Sequence, residues 1–395
     1  MQGPAEGISV LVPVWNAAAT LRASLLSILG QVLPPLEVVV VDDGSTDRTP
    51  AILAEMARSE PRIRVRRQAN GGIVAALQAG LAIARGSLIA RHDADDLADP
   101  GRLACQAGWL AGHSGCVALA GAYRLIDHAG DPILRDGIAQ TQAPSDPEAA
   151  DPAWLPAIEP YLCHPFAMFR ASALRAVGGY RHVFHAEDSD LYWRLREIGQ
   201  LVNLPDCLGA YRLHHESISG SSIRSGRIMA VFSQLAALSA RRRAAGRPDL
   251  AFPAERRPAV LAGTGMEALL ALVRDGLEAA EHVHLRAASA AKLLELAGYR
   301  PYELELADCR FIRSALLAAP PHAPANGRLL RRQLAATAAR LLRTGRKREA
   351  MALLPPGLAP ECLARAVTGR LFWTRLVPVP SGSPEPGPAQ PVQGA

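Results

Sequence analysis

Over its first hundred residues the chain alternates short, continuously apolar runs with longer stretches whose apolar positions recur every three or four residues. Ile8–Pro13 (ISVLVP) is apolar throughout and of strand length. Leu21, Leu25, Ile28, Leu29 and Val32 follow at helical spacing, with Asn16 placed to cap the helix. Leu36–Val41 (LEVVVV) is β-branched on both faces of its pleat, as a doubly buried strand requires. It breaks at the turn cluster DDGSTD, and Thr49–Arg58 is again helical. Ile63–Arg67 predicts a third strand, Gly72–Ala84 a helix, and Leu88–Arg91 a fourth strand. This alternation predicts an α/β fold: a parallel sheet with helices on both faces, whose ligands lie beyond the carboxyl ends of the strands.

From residue 101 to 220 the pattern is mixed. The stretch 142–158, rich in Pro, Ala and acid, reads as an exposed loop, and HAEDSDLYWRLREIG (185–199) as an amphipathic helix opening on carboxylates. LGAYRLHHESIS (208–219) reads as a last strand running into a polar loop. Beyond about residue 225 the composition turns to Ala, Leu and Arg with helical periodicity throughout. The domains expected are therefore 1–222 (catalytic), 223–375 (α-helical) and 376–395, a disordered Pro/Gly-rich tail.

Composition changes this picture little. The 395 residues are 49% hydrophobic and 20% charged, an ordinary globular balance. The net charge of +6 suits a chain that meets phosphates or an anionic surface. No zinc-finger spacing and no basic-aromatic stripe argue for nucleic acid. Six scattered cysteines without a C-x-x-C pair, no signal peptide and no apolar run long enough to span a bilayer point to a cytoplasmic protein. Arg328–Arg348 carries eight basic residues and no acid. Leu330, Leu334, Leu341 and Leu342 form an apolar face there that would rest on the inner face of the plasma membrane. The plainer reading has the helical region pack on the catalytic one and support a homodimer.

The chemistry lies at the strand ends. Asp42 and Asp43 follow the second strand, and Asp93, Asp95 and Asp96 the fourth, so two acidic clusters project from one sheet edge. The second is no EF-hand loop: counted from Asp93, Ala98 and Ala104 occupy the positions of the required Gly and Glu. A D-x-D at a strand end can instead aim two carboxylates at one hard cation, Mg2+ or Mn2+. Asp96 would brace the loop, and Asp99 would start the next helix. Glu187 and Asp188 open a predicted helix, where one could serve as general base.

In order along the chain come PVWN, VVDDGSTD, NGG–AL–AG, DADD, HP–MFR–GGYR, ED–DLYWR and YRLH–S. This series resembles the inverting family-2 glycosyltransferases of the glycosyltransferase-A fold, bacterial polysaccharide and lipopolysaccharide enzymes among them. The resemblance covers residues 7–220. It implies a nucleotide-sugar donor, most simply a UDP-sugar, a saccharide or lipid-linked acceptor, and Mn2+ or Mg2+. Pro13, Val14 and Asn16 would line the nucleotide pocket, Asp43 would meet the base and Asp42 would support its loop. Asp93 and Asp95 would be the D-x-D, Asp95 ligating metal directly and Asp93 lying near ribose and metal, with His214 as a further ligand. Asp188 would be the catalytic base beside Glu187, and Arg212 would face the diphosphate.

One departure stands out. Members often carry an Arg or Lys in the helix spanning 70–80 that touches the diphosphate, whereas GGIVAALQAG has none before Arg85. Neutralisation would then fall to the metal, Arg91 or Arg212. Rival readings are a nucleotidyltransferase, which needs a Gly-rich basic loop where VPVWNAAATL stands, and an inactive nucleotide-sugar binder. A dinucleotide-dependent oxidoreductase would need G-x-G-x-x-G at that position, and it is absent.

Overall fold

The structure, a computed structural model, describes residues 5–135, 138–142, 145–213, 222–318 and 327–355. Its first part runs β1 (Ala5–Val14), α1 (Leu21–Leu29), β2 (Glu37–Asp42), α2 (Thr49–Ser59), β3 (Ile63–Arg67), α3 (Ile73–Leu81) and β4 (Gly86–Arg91). Next come β5 (Leu97–Ala98), α4 (Arg102–Gly112), β6 (Cys116–Ile126) and three two-residue strands, β7 (Leu134–Arg135), β8 (Ile138–Ala139) and β9 (Thr141–Gln142). β10 (Met168–Arg170), α5 (Ala171–Ala176), α6 (Glu187–Arg196) and β11 (Gln200–Arg212) complete the sheet region. Helices follow: α7 (Ile223–Ala244), α8 (Arg257–Ala262), α9 (Met266–Leu272), α10 (Ala279–Tyr299), α11 (Leu306–Leu317), α12 (Gly327–Arg343) and α13 (Lys347–Leu353).

The strand order is β3-β2-β1-β4-β10-β6-β11-β5. β1 pairs parallel with β2 and β4, and β2 with β3. β10 is antiparallel to both β4 and β6, so β6 runs the same way as β4, and β11 is parallel to β6. Six long strands thus point their carboxyl ends at one edge. The expected mostly parallel sheet with flanking helices, the glycosyltransferase-A arrangement, and the helical C-terminal region are all present. Residues 163–181 read as a strand, a helix and a Gly-Gly turn, and β10 and α5 are that strand and helix; the antiparallel direction of β10 inside the sheet is what the pattern did not show.

Burial explains the VVVV run. Val39 and Val41 pack with Val74 and Leu77 of α3, while Val38 and Val40 face Leu21, Leu25 and Ile28 of α1 and Leu53 of α2. All four valines are fully buried, each contributing about 1.5–3 kcal/mol through removal from water. α3 lies so close to the sheet that a Cβ at Gly80 would fall 2.1 Å from Leu11 Cδ1. Glycine is what allows that approach.

Four local expectations change. Asn16 does not cap α1, whose N-cap is Thr20. Its backbone is left-handed (φ 49°) and its Oδ1 accepts from the Thr46 amide instead. Asp99 does not start α4, whose N-cap is Gly101; its carboxylate takes both Nη atoms of Arg124. The stretch 145–158 is not simply an exposed loop: Leu155 and Ala157 are buried, and Leu155 packs on Ala287, Ala288, Ala291 and Leu330. Its apolar residues cover α10 and α12. Finally, the apolar face of α12 turns inward, Leu330, Leu334 and Leu341 lying in the helical core with Leu342 packed against it. That face is not free to enter a bilayer, because it is the surface that holds α12 to its neighbours. No described helix is long and apolar enough to cross a membrane, and the tail expected from residue 376 lies outside the described residues.

The largest apolar cluster crosses residue 222, uniting Val183, Ala186 and Trp193 with Val231, Phe232, Leu293 and Leu294. A buried ion network ties the helices together, Arg227 of α7 donating to Asp308 and Glu305 at 2.6–2.8 Å. Removing Arg227 leaves the Asp308 carboxylate buried without its counter-charge, although Glu305 remains exposed to water. Arg227→Ala should therefore lower the unfolding free energy by about 3–5 kcal/mol, read from the urea midpoint at unchanged slope. A loss below about 1 kcal/mol would show that the network contributes little.

Candidate active site

The edge where β1, β2, β3, β4 and β11 end is built around carboxylates. After β2, Asp42 accepts from the Ser45 amide at 2.9 Å and lies 3.4 Å from Arg67 Nε. Asp43 is buried, and its carboxylate accepts from Gln68 Nε2 and from the amides of Gly71 and Gly72 at 2.8–2.9 Å. Its amide donates to the Val14 carbonyl at 2.9 Å. Asp43 thus locks the loop that enters α3 to the end of β1. Asn16 closes the other side, its amide donating to Ser45 Oγ and its Oδ1 accepting from Thr46. Pro13 is half-buried and Asn16 exposed. Trp15 between them is 58% exposed, an aromatic surface beside the DDGST turn that residue-type reasoning passed over.

β4 delivers the second cluster. Ligand oxygens of Asp93, Asp95 and Asp96 lie within 4.8 Å of one another. Arg91, buried at the end of β4, donates to Asp93 and to the His92 carbonyl. Asp96 accepts from the Arg212 amide at 2.8 Å through Oδ1, while its Oδ2 is buried with no partner among the described residues. Bracing was the role expected of Asp96, yet it also completes the acidic triad. Burial, with the charges of Asp93 and Asp95, pushes its carboxyl well above the usual range, and burial raises Asp93 too. The Arg212 guanidinium is tied to the carbonyls of Asp95, Asp127 and His128 at 2.8–3.0 Å. His214 lies outside the described residues.

The third element is the start of α6, entered from His185 in a left-handed conformation (φ 59°). Glu187 is buried, with Oε2 unpartnered among the described residues, and Asp188 is half-buried. Burial and the neighbouring Asp188 charge push Glu187 up to about 8. Burial, aided by Glu159, pushes Asp188 up to about 6. The Asp93 charge is felt at Glu187, and Arg91 attracts Asp93, Glu187 and Asp188 alike. The D-x-D and the ED pair therefore belong to one electrostatically linked site. Asp190 points away from it, paired with Arg181 and Arg194.

Two supports carry little sequence signal. His164 and the Tyr180 hydroxyl are joined at 2.7 Å beneath the site, where burial and the Arg91 charge hold the imidazole neutral. Behind α6, Ser189 Oγ donates to Glu159, which pairs at 2.8 Å with Lys292 of α10. Only a histidine-proline pair and an isolated buried lysine mark these positions in the sequence.

The profile of Glycosyl transferase family 2 matches residues 9–178. The Bacillus subtilis (strain 168) protein "Putative glycosyltransferase EpsE" is 34% identical over 216 residues, 53% of this chain and 73% of that protein. Chondroitin synthase of Escherichia coli is 28% identical over 213 residues, 54% of this chain but 30% of the synthase. Among solved structures, the mannosyltransferase PcManGT from Pyrobaculum calidifontis, in complex with GDP-Man and Mn2+, aligns with a TM-score of 0.49 at 20% identity, covering 94% of this chain and 89% of that one.

Asp43→Ala should speed hydrogen exchange at the Gly71 and Gly72 amides by about 10- to 100-fold, the weight of one charge-assisted bond each. Wild-type exchange in the variant would assign the order of this loop to other contacts.

Proposed function

The chain belongs to glycosyl transferase family 2, and from that premise we propose that it transfers a sugar from a nucleotide-diphosphate sugar to an acceptor hydroxyl with inversion. The pairing of a titratable Asp188 with the D-x-D cluster across one edge carries this reading. Its setting would be cell-surface polysaccharide or glycolipid synthesis, with a UDP-sugar as the simplest donor. The nucleoside lies over the ends of β1 and β2, against Pro13, Val14, Asn16, Asp42 and Asp43, with Trp15 available to stack.

A divalent cation fits the donor set. Three carboxylates converge, one has a buried oxygen without a partner among the described residues, and all-oxygen ligation suits Mn2+ or Mg2+. Asp93, Asp95 and Asp96 would hold it, and when bound it supplies charge stabilisation to the departing nucleoside diphosphate. Arg212 acts through Asp95: its guanidinium fixes the carbonyl of that residue, and its amide fixes Asp96.

The two carboxyls at α6 have different tasks because their environments separate them. Near pH 7 Glu187 holds its proton, whereas Asp188 is ionised. Asp188 is therefore the group that accepts the proton of the acceptor hydroxyl as attack begins. Attack from the Asp188 side, with the diphosphate leaving toward the D-x-D side, is a single displacement and inverts the anomeric carbon.

Asp188→Asn should cut kcat by about 10²–10⁴-fold while leaving nucleotide affinity near wild type; near-normal turnover of the purified variant would remove Asp188 as base. In the wild-type enzyme kcat should rise with pH through about 6 and level off above it, because only the deprotonated carboxylate accepts the proton. Asp95→Ala should abolish the Mn2+ dependence of nucleotide binding by calorimetry, and unchanged affinity would sink its role as ligand.

A further inference from the structure

The acidic edge is short of available positive charge. Among the described residues, Arg67, Arg91, Arg181, Arg212 and Arg257 lie near it. Arg67 lies against Asp42 and donates to the Ser45 carbonyl. Arg91 is buried against Asp93, and Arg181 bridges Asp190 and Asp249. Arg212 is held by three carbonyls. Arg257 differs. It opens α8 in the helical region, is half-buried, and among the described residues has one hydrogen-bond partner, the neutral Asn70 side chain, at 3.1 Å.

Its position is specific. The guanidinium lies over Gly72, the N-cap of α3, where a Cβ would meet Arg257 Nε at 3.1 Å and Nη2 at 3.4 Å. Gly72 has φ 84°, so glycine serves both the backbone conformation and the space above it. The Gly71 and Gly72 amides, which at a helix start would attract an anion, are already engaged by Asp43. On the other side, burial lowers His182, in the loop leading to Asp188, and the charges of Glu255 and Arg257 act on it in opposite senses. Arg257 therefore stands between the entry to α3 and the loop before α6, next to the Asp43 loop.

We propose that Arg257, delivered by the helical region onto Asn70 and Gly72, is a donor-binding residue that contacts the phosphates of the nucleoside diphosphate. This rests on the glycosyltransferase reading of the edge. An anionic diphosphate placed among Asp43, Asp93, Asp95 and Asp96 needs cationic partners besides a metal. Arg257 can leave a neutral amide for a phosphate without stranding a carboxylate. A guanidinium suits the task because its fork binds two phosphate oxygens at once.

The test uses the full chain with Mn2+, titrated by calorimetry with UDP and GDP, and by saturation-transfer NMR with uridine and guanosine. Arg257→Ala should weaken binding of the preferred nucleoside diphosphate by about 10- to 100-fold, one charged hydrogen-bond contact, and leave binding of its nucleoside unchanged. Arg257→Lys should recover part of the loss. Asn70→Ala, which removes the tether and keeps the charge, should lose less than Arg257→Ala. Equal affinity of wild type and Arg257→Ala for the diphosphate overturns the inference alone. Parallel loss of diphosphate and nucleoside overturns it too, since a merely structural tie would disturb both. Failure of the wild-type chain to bind either diphosphate overturns the reading of the site, and this inference with it.

Discussion

A single buried cation makes the acidic edge possible. Arg91 ends β4 with its side chain almost wholly removed from solvent, donating to Asp93 and to the backbone of the next residue. Its charge lowers the cost of ionising Asp93, Asp96, Glu187 and Asp188 and keeps His164 neutral. Without it, carboxylates from two distant stretches of chain would share one poorly solvated space with nothing to offset their repulsion. Arg102 stands behind it, donating to the Arg91 carbonyl, and burial brings that guanidinium down to about 9. The site thus rests on two buried arginines, the second holding the backbone of the first.

Around this centre most charged side chains position backbone. Asp43 orders the entry to α3, Arg212 the loop that follows β4, and Asn16 the turn after β2. These groups hold three loops at the ends of parallel strands in one register. Such an edge can be rigid while each loop remains free to differ between relatives. The left-handed conformations at Asn16 and His185 lie at this edge too, strain of the kind that functional loops retain.

The legible part of the sequence is the part governed by local rules. LEVVVV is a doubly covered strand because all its residues are apolar or, in Glu37, tied down by Ser9, Arg64 and Arg85. DDGSTD and DADD could be placed together because strands of one direction deliver their ends to one edge, whereas the ED pair opens a helix and was joined to them by the resemblance alone. Less legible were contacts made at long range. Nothing near Asn70 announces Arg257, since the partner arrives 187 residues later. The inward face of α12 was misread for the same reason: an amphipathic stripe looks alike whether it meets lipid or a neighbouring helix. The strand of β10 was legible but its direction was not, because three residues between a turn and a helix carry too little pattern to show it.

The core that crosses residue 222 changes what the helical region is. Trp193 and Val183, on and beside the helix that presents Asp188, are packed among residues of α7 and α10, and Lys292 reaches through Glu159 to Ser189, one residue from Asp188. The wall behind Asp188 is therefore made by the second half of the chain. For recombination between relatives, natural or engineered, the unit that must stay together is larger than the sheet. A graft cut where the strands stop would carry the acidic residues but leave behind the surface that sets their spacing. The spacing of Glu187 and Asp188 from the rest of the edge would then change with the helices that back them.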